Sequence, residues 1–414
     1  MKYSPKTIPA LILTGILAGL AGFLLTLLMH NIQHIAFGYG FLGDVSFREG
    51  VEYASPLRRL LVLSSCGLLA GIGWFCIHRF GAPLISIKKA VTDPESRIPF
   101  WTTLSHGLLQ IITVALGSPL GREVAPREIS AAGATRITRL LHIEDAETRR
   151  LLIACASGAG LAAVYNVPLA AAVFVLETLL LDWSAAALGA ALLCCGTAVF
   201  VVRLGLGDLI QYPLPQPGIN EPLILWALLA GPLLAAAVRL FEKSLQYIPE
   251  LPRKSPKMIL LALAAFTAIG LLSMYFPEIL GNGKAGNQLS FTFSTGGRYG
   301  LALFLAKWAA VWLATLAGAY GGRITPSMML GGMLGLISAI AWNLLFPMIP
   351  VGSAAFIGAA VFLGLAQKMP LTAAIFLLEL TRFSPEYLFP ICVCLAAALL
   401  TSRYLNAPAS GKAA

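Results

Sequence analysis

The sequence predicts an all-α polytopic membrane protein built from two related halves, each containing broken helices. Three observations carry that expectation. Of 414 residues, 58% are hydrophobic and only 12% charged, and mean hydropathy is +0.81. A water-soluble domain of this length could not hide so much apolar surface. Long apolar stretches alternate with shorter ones interrupted by Gly and Pro. Two short motifs recur in the same order in the two halves.

The first apolar run, from Ile8 to about Ile32, is too long for a signal-peptide core and lacks a clear cleavage site, so it reads as the first membrane helix. Further long stretches cover about 57–80, 99–117, 184–204, 223–247, 255–276 and 299–319. Each is near the roughly 20 residues that cross a bilayer. Shorter pieces lie at about 82–92, 123–140, 147–164, 168–181, 325–346, 351–366 and 370–382. Many of these cannot cross alone. Backbone polar groups cannot be left bare in lipid, so broken helices must be buried in protein or line an aqueous path. That pattern favours a transporter or channel over a plain helical bundle.

The repeat strengthens this reading. "PLAAAVFVLE" at 168–177 matches "PLTAAIFLLE" at 370–379 in seven of ten positions, and "GREVAP" at 121–126 corresponds to "GGRITP" at 321–326. The first membrane repeat is expected at 1–204 and the second at 223–414, with no soluble regulatory domain. The linker, 205–222, contains "YPLPQPG", too rich in proline for a helix. Short interrupted helices at matching places in two halves point to the substrate site.

Charge and cysteine usage exclude several classes. The net charge is +10, but no soluble basic domain is present to hold nucleic acid. The excess fits cytoplasmic loops and anionic lipid, or a basic vestibule that attracts anions. Lys2 and Lys6 precede the first helix and favour a cytoplasmic N-terminus. The seven cysteines lie in apolar segments without ligand or redox spacing, and the five histidines are scattered. No metal site or cofactor is expected. An intramembrane hydrolase would need a Ser-His, paired Asp or zinc constellation, and none is visible, so the chain is not expected to be an enzyme.

Physical reading singles out residues 117–128, "GSPLGREVAPRE". Gly121 lets the chain turn sharply. Pro126 suits the first turn of the next helix. The N–H groups around Arg122 to Ala125 would then be free donors at a positive helix end, where an anion can sit. Glu123 is itself an anion at this spot. It could occupy the site when ionised and vacate it when protonated or displaced, as a gate. The alternative is a carboxylate that only caps its helix. The counterpart Gly321 to Pro326 offers similar donors, with Arg323, Ile324 and Thr325 in place of a carboxylate.

"GREVAP", "GLAAVYNVPLAAAVFVLE", "GNG" at Gly281 to Gly283, "GGRITP" and "MPLTAAIFLLELT" resemble the CLC chloride channel and transporter family, in consistent order from about residue 8 to 406. The resemblance implies a homodimer in a lipid bilayer, with one anion pathway in each subunit and two inverted halves per subunit. A multi-pass protein of the inner, cytoplasmic membrane is expected. Glu123 falls on the family's gating glutamate, and Gly121 and Arg122 match its motif, while Val124 departs from it. Gly81 and Ala82, in "GAPLI", stand where the family's first anion motif has a central serine. Arg323, Ile324 and Thr325 fall on its third motif, with Ile324 replacing a phenylalanine. Arg323 would raise anion affinity or face a partner carboxylate.

Two further departures bear on proton coupling. Proton-coupled members carry a Glu-Glu pair where this chain has Glu177 and Thr178, and Thr cannot take up and release a proton near neutral pH. Glu177 could substitute, but Glu379 at the same place in the other half suggests a structural role for both. The family's inner-gate tyrosine sits in a short final helix, for which Tyr404 is a poor match. The resulting expectation is transmembrane transport of a small anion, most favourably chloride, gated by Glu123 and with proton coupling weakened. The alternative is a fluoride-exporting CLC-type antiporter.

Overall fold

The computed structural model describes residues 6–40, 45–93, 96–249, 251 and 253–406. Lys2, part of the orientation argument, and residues 407–414 of the second repeat lie outside the described residues. Helices dominate. The first half holds α1 (Thr7–Phe37), α2 (Phe47–Tyr53), α3 (Pro56–Phe80), α4 (Ile87–Thr92), α5 (Phe100–Ala115), α6 (Val124–Leu140), α7 (Ala146–Tyr165), α8 (Pro168–Phe174) and α9 (Ala185–Leu206). The second half holds α10 (Glu221–Gln246), α11 (Lys257–Tyr275), α12 (Lys284–Phe291), α13 (Gly297–Leu316), α14 (Ile324–Trp342), α15 (Val351–Ala366), α16 (Pro370–Thr381) and α17 (Leu388–Asn406).

Eight segments among the described residues are long and apolar enough to cross a membrane: α1, α3, α9, α10, α11, α13, α14 and Pro385–Leu405. Their exposed leucines, such as Leu24, Leu61, Leu229 and Leu260, face outward where lipid is the solvent. Three elements differ from the sequence expectation. The stretch at 99–117 yields only the 16-residue α5, because Gly117 turns the chain at φ 98°. The piece at 325–346 forms the 19-residue α14, long enough to span. The span over α17 was not among the expected stretches, because Pro385, Glu386 and Pro390 interrupt its apolar start.

The two halves repeat their local geometry. Left-handed Asn166 (φ 60°) and Lys368 (φ 55°) end the runs of α7 and α15. A proline then opens the next helix in each case, Pro168 in α8 and Pro370 in α16, where its missing N–H costs nothing. Backbones also touch at equivalent places. A Cβ at Gly160 of α7 would lie 2.5 Å from the Pro126 carbonyl of α6, and one at Gly358 of α15 would lie 2.5 Å from the Gly331 carbonyl of α14. Close approach of this kind, through small residues, packs helices tightly where lipid offers no hydrophobic drive.

The halves meet with opposite direction at α8 and α16. Glu177, in the π-helical turn Val175–Leu180 that continues α8, accepts from the Leu371 and Thr372 amides at 3.0 and 2.8 Å. Glu379, near the end of α16, accepts from the Leu169 and Ala170 amides at 3.0 and 2.7 Å. Each carboxylate thus caps the start of the other half's helix, satisfying orphan donors at a positive helix end. Only antiparallel neighbours can do this reciprocally, as inverted repeats require.

Candidate functional site

The two glycine-proline motifs meet in a two-hydrogen-bond bridge. The Gly121 amide donates to the Gly322 carbonyl at 2.6 Å, and the Gly322 amide to the Gly121 carbonyl at 2.8 Å. Glu123 follows as the N-cap residue of α6. Its carboxylate does not cap its own helix. Oε1 accepts from the Ile324 amide at 2.8 Å, at the start of α14. Oε2 accepts from the Tyr165 hydroxyl at 3.0 Å. That hydroxyl also meets Thr325 Oγ1 at 2.8 Å. With the tyrosine proton engaged by a carboxylate, the threonine must donate. Glu123 is fully buried.

The two glycines make room for this seat. A Cβ at Gly322 would lie 1.8 Å from Glu123 Oε1, and one at Gly121 would lie 2.1 Å from Oε2. A helix-terminal N–H and a hydroxyl, the donors that hold this carboxylate, are of the kind that bind free anions at helix N-termini. Buried Lys307, on α13, braces the surrounding loops by donating to the Ile279 and Gly281 carbonyls, each at 2.8 Å. The Gly281 amide in turn bonds the Gly117 carbonyl at 3.1 Å.

Cavities approach the seat from two sides. One, about 290 Å³, is lined by Arg48, Arg122, Tyr165, Gln211, Lys284 and Gln288 among others, and has no carboxylate among its described lining residues. Arg122 donates to the Val164 carbonyl at 2.8 Å and to Gln211 Oε1 at 3.2 Å. The other, about 460 Å³, is lined by Leu120, Gly321, Arg323, Glu242, Gln246 and Lys368 among others. Residues flanking Glu123 in the motifs thus reach opposite cavities, while Glu123 lines neither.

A family model described as "Voltage gated chloride channel" matches residues 66–403. The chain belongs to this family. It is therefore a multi-pass membrane protein of anion transport. An H(+)/Cl(-) exchange transporter, ClcA of Vibrio vulnificus, is 26% identical over 390 residues, covering 89% of this chain and 81% of that protein. The fold is similar to a slow cyanobacterial Cl-/H+ antiporter, with a TM-score of 0.83 and 20% identity over 98% of this chain and 96% of that one. It is also similar to a CLC-type fluoride/proton antiporter, with a TM-score of 0.71 and 20% identity over 97% of this chain and 98% of that one.

Within this CLC protein, the structure gathers Gly121, Glu123, Ile324 and Thr325 at one point, with Arg122 and Arg323 at the two cavity mouths. Arg323 shares its cavity with Glu242, the carboxylate whose charge acts on it, and with Lys368. Other expected residues stand apart. The helix start expected near Ala82 lies at Ser86–Ile87 and opens only a six-residue helix. Gly81 and Ala82 are exposed, and their amides are engaged by the Ile77 carbonyl at 2.9 Å and Thr102 Oγ1 at 3.1 Å. Neither is left free for an anion. Tyr404 is 83% exposed in the last turn of α17. Thr178 donates to the Phe174 carbonyl at 2.6 Å.

Sequence reading missed Tyr165. It stands in the "AVYNVP" stretch, and its position before a helix break was the available signal. Its hydroxyl reaches residues 42 and 160 positions away, which no local pattern reveals. Lys284 and Gln211 were missed likewise, because only the fold brings them to the cavity of Arg122.

Proposed function

We propose that this CLC protein moves small anions, most favourably chloride, between the two cavities, and that Glu123 is the gate between them. The observation that carries the reading is the seat itself. Glu123 fills a buried position bounded by the Ile324 amide and the Tyr165 hydroxyl, between an acid-free basic cavity and a second one. An anion needs replacement of its hydration shell, and fixed N–H and O–H dipoles supply it without a buried formal countercharge.

The working cycle follows from these contacts. Arg48, Arg122 and Lys284 concentrate anions in the first cavity. When Glu123 is protonated or swings away, an anion takes the Ile324 and Tyr165 donors. It then leaves past Gly321 and Arg323 toward the second cavity. α1 runs from Lys6 toward His30 and Gln33 at the first cavity. A cytoplasmic N-terminus therefore makes the first cavity external and the second internal, in an inner-membrane homodimer.

Proton coupling is weak in this reading. Thr178 holds a hydrogen bond within its own turn, and Glu177 caps α16. Fluoride is the second reading. The Tyr165 hydroxyl, which accepts from Thr325, offers an O–H donor suited to a compact, strongly hydrated ion. Chloride and fluoride efflux, compared side by side from the same proteoliposomes, separates the two. Glu123→Gln and Glu123→Ala should both abolish the pH dependence of the flux. Unchanged pH dependence in both variants would overturn the gate.

A further inference from the structure

A third cavity, of about 300 Å³, lies away from the Glu123 path, between α4, the C-terminal end of α6 and the first turns of α7. Arg97, Arg139, Arg149 and Arg150 line it, and Glu147 is the one carboxylate among its described lining residues. Glu147 pairs weakly with Arg150, at 3.7 Å and half exposed. The cavity therefore keeps an excess of positive charge.

Among the described residues, Glu147 pairs with Arg150 and the Asp145 charge acts on Arg149, while Arg97 and Arg139 form no ion pair. Arg150 is tethered through a 2.7 Å bond to the Leu180 carbonyl, which leaves a carboxylate-strength partner for it only in Glu147. Arg149 Nε is shut off from solvent with no hydrogen-bond partner. A buried donor of this kind is costly unless something accepts from it. The Arg97 and Arg139 side chains are exposed at the mouth and form no ion pair among the described residues.

We propose that this cavity binds a phosphate group, carried either by an anionic phospholipid at the cytoplasmic surface or by a soluble phosphate compound. Guanidinium forks match phosphate oxygens in paired hydrogen bonds, and several together favour phosphate over a spherical halide. Arg150 links the occupied cavity to Leu180, the end of the turn that carries Glu177, so occupancy stiffens the contact between the halves.

The test uses the purified full chain and an Arg97→Ala/Arg139→Ala variant, chosen because both side chains are exposed and form no ion pair among the described residues. Thermal midpoints are measured in neutral detergent with inorganic phosphate and with chloride at matched ionic strength. Retention of phosphatidylglycerol against phosphatidylcholine is measured by native mass spectrometry. Wild-type protein is expected to prefer the phosphate-bearing anion in at least one arm, and the double variant to lose affinity about tenfold. Stabilisation by inorganic phosphate without lipid assigns a soluble ligand, and phosphatidylglycerol retention alone assigns a headgroup. Absence of preference in both arms, or equal binding by the double variant, would overturn the proposal.

Discussion

Glu123 and Ile324 meet at 2.8 Å, carboxylate oxygen to backbone N–H, across the boundary between the two halves. Helix α6 thus supplies the anion that helix α14 binds. Neither half contains a complete site. The bridge between Gly121 and Gly322 fixes the distance between them, so the proposed gate depends on the pairing of the two motifs.

That pairing makes Gly322→Ala informative. The added methyl would lie 1.8 Å from Oε1 and 2.0 Å from Cδ of Glu123, far inside contact distance, and the flexible carboxylate is what can yield. The expected outcome is displacement of Glu123 and faster anion efflux, approaching that of Glu123→Ala. Combined with Glu123→Ala, the glycine substitution should add little, since there is then no carboxylate to displace. Additive effects of the two changes would show that Gly322 acts elsewhere.

Tyr165→Phe removes one donor from the seat and leaves its shape. In a Glu123→Gln background, where the anion has the seat to itself, chloride binding should weaken by about 1–3 kcal/mol, the cost of an unmade hydrogen bond at a buried anion. That is roughly five- to 150-fold in affinity, readable by calorimetry. Tyr165 also packs edge-on against Phe376, with ring centroids 5.3 Å apart, a contact phenylalanine keeps. Unchanged chloride affinity would remove Tyr165 from the site.

The legible part of this molecule was what repeats or breaks. The Gly-Pro punctuation at 121–126 and 321–326 located both halves of the seat, and the recurrence of Pro168 and Pro370 exposed the duplication. Glu123 stood out because a carboxylate beside helix breakers in an apolar chain has few structural reasons to be there. What stayed hidden depends on contacts between distant elements. Tyr165 is an ordinary aromatic until α7 ends beside α14. Ala82 drew attention through the family pattern, yet its amide belongs to Thr102. The span over α17 was obscured by prolines that, as it turns out, only open the helix.

The loop that follows α9 carries a pH-dependent knot. Asp208 accepts from Arg382 and from Asn166 at 2.8 Å, and it forms an ion pair with Arg203 at 3.0 Å. The Arg382 hydrogen bond foremost, then Asn166, draw its carboxyl down from an ordinary 3.8 to about 2. A depressed pKa means that the stabilisation is complete above 3.8 and disappears as the pH falls through about 2. Thermal midpoints of wild type and Asp208→Asn should therefore differ by a constant offset from about pH 5 to 8 and converge in stronger acid. The offset should be small, because the group is exposed and screened. A difference that persists in strong acid would show that the contact is not electrostatic.

Glu177 bears on whether protons accompany the anion. Both of its oxygens are engaged, by the Leu371 amide, the Thr372 amide and the Thr372 hydroxyl, the last at 2.6 Å. Glu379 mirrors it on α8. A carboxylate that moves to pass a proton would have to abandon three donors at a helix start. Glu177→Gln retains the shape but cannot accept from all three in the same way, since one carboxylate oxygen becomes an NH2 donor. It should destabilise the fold by about 1–3 kcal/mol while leaving the ratio of protons to anions moved unchanged. Glu379→Gln should behave alike but destabilise less, because Glu379 accepts from two amides and no hydroxyl. Proton uptake driven by a chloride gradient, measured alongside thermal stability for both variants, separates the roles. If Glu177→Gln alone abolished proton movement at unchanged stability, Glu177 would be the relay and not a cap.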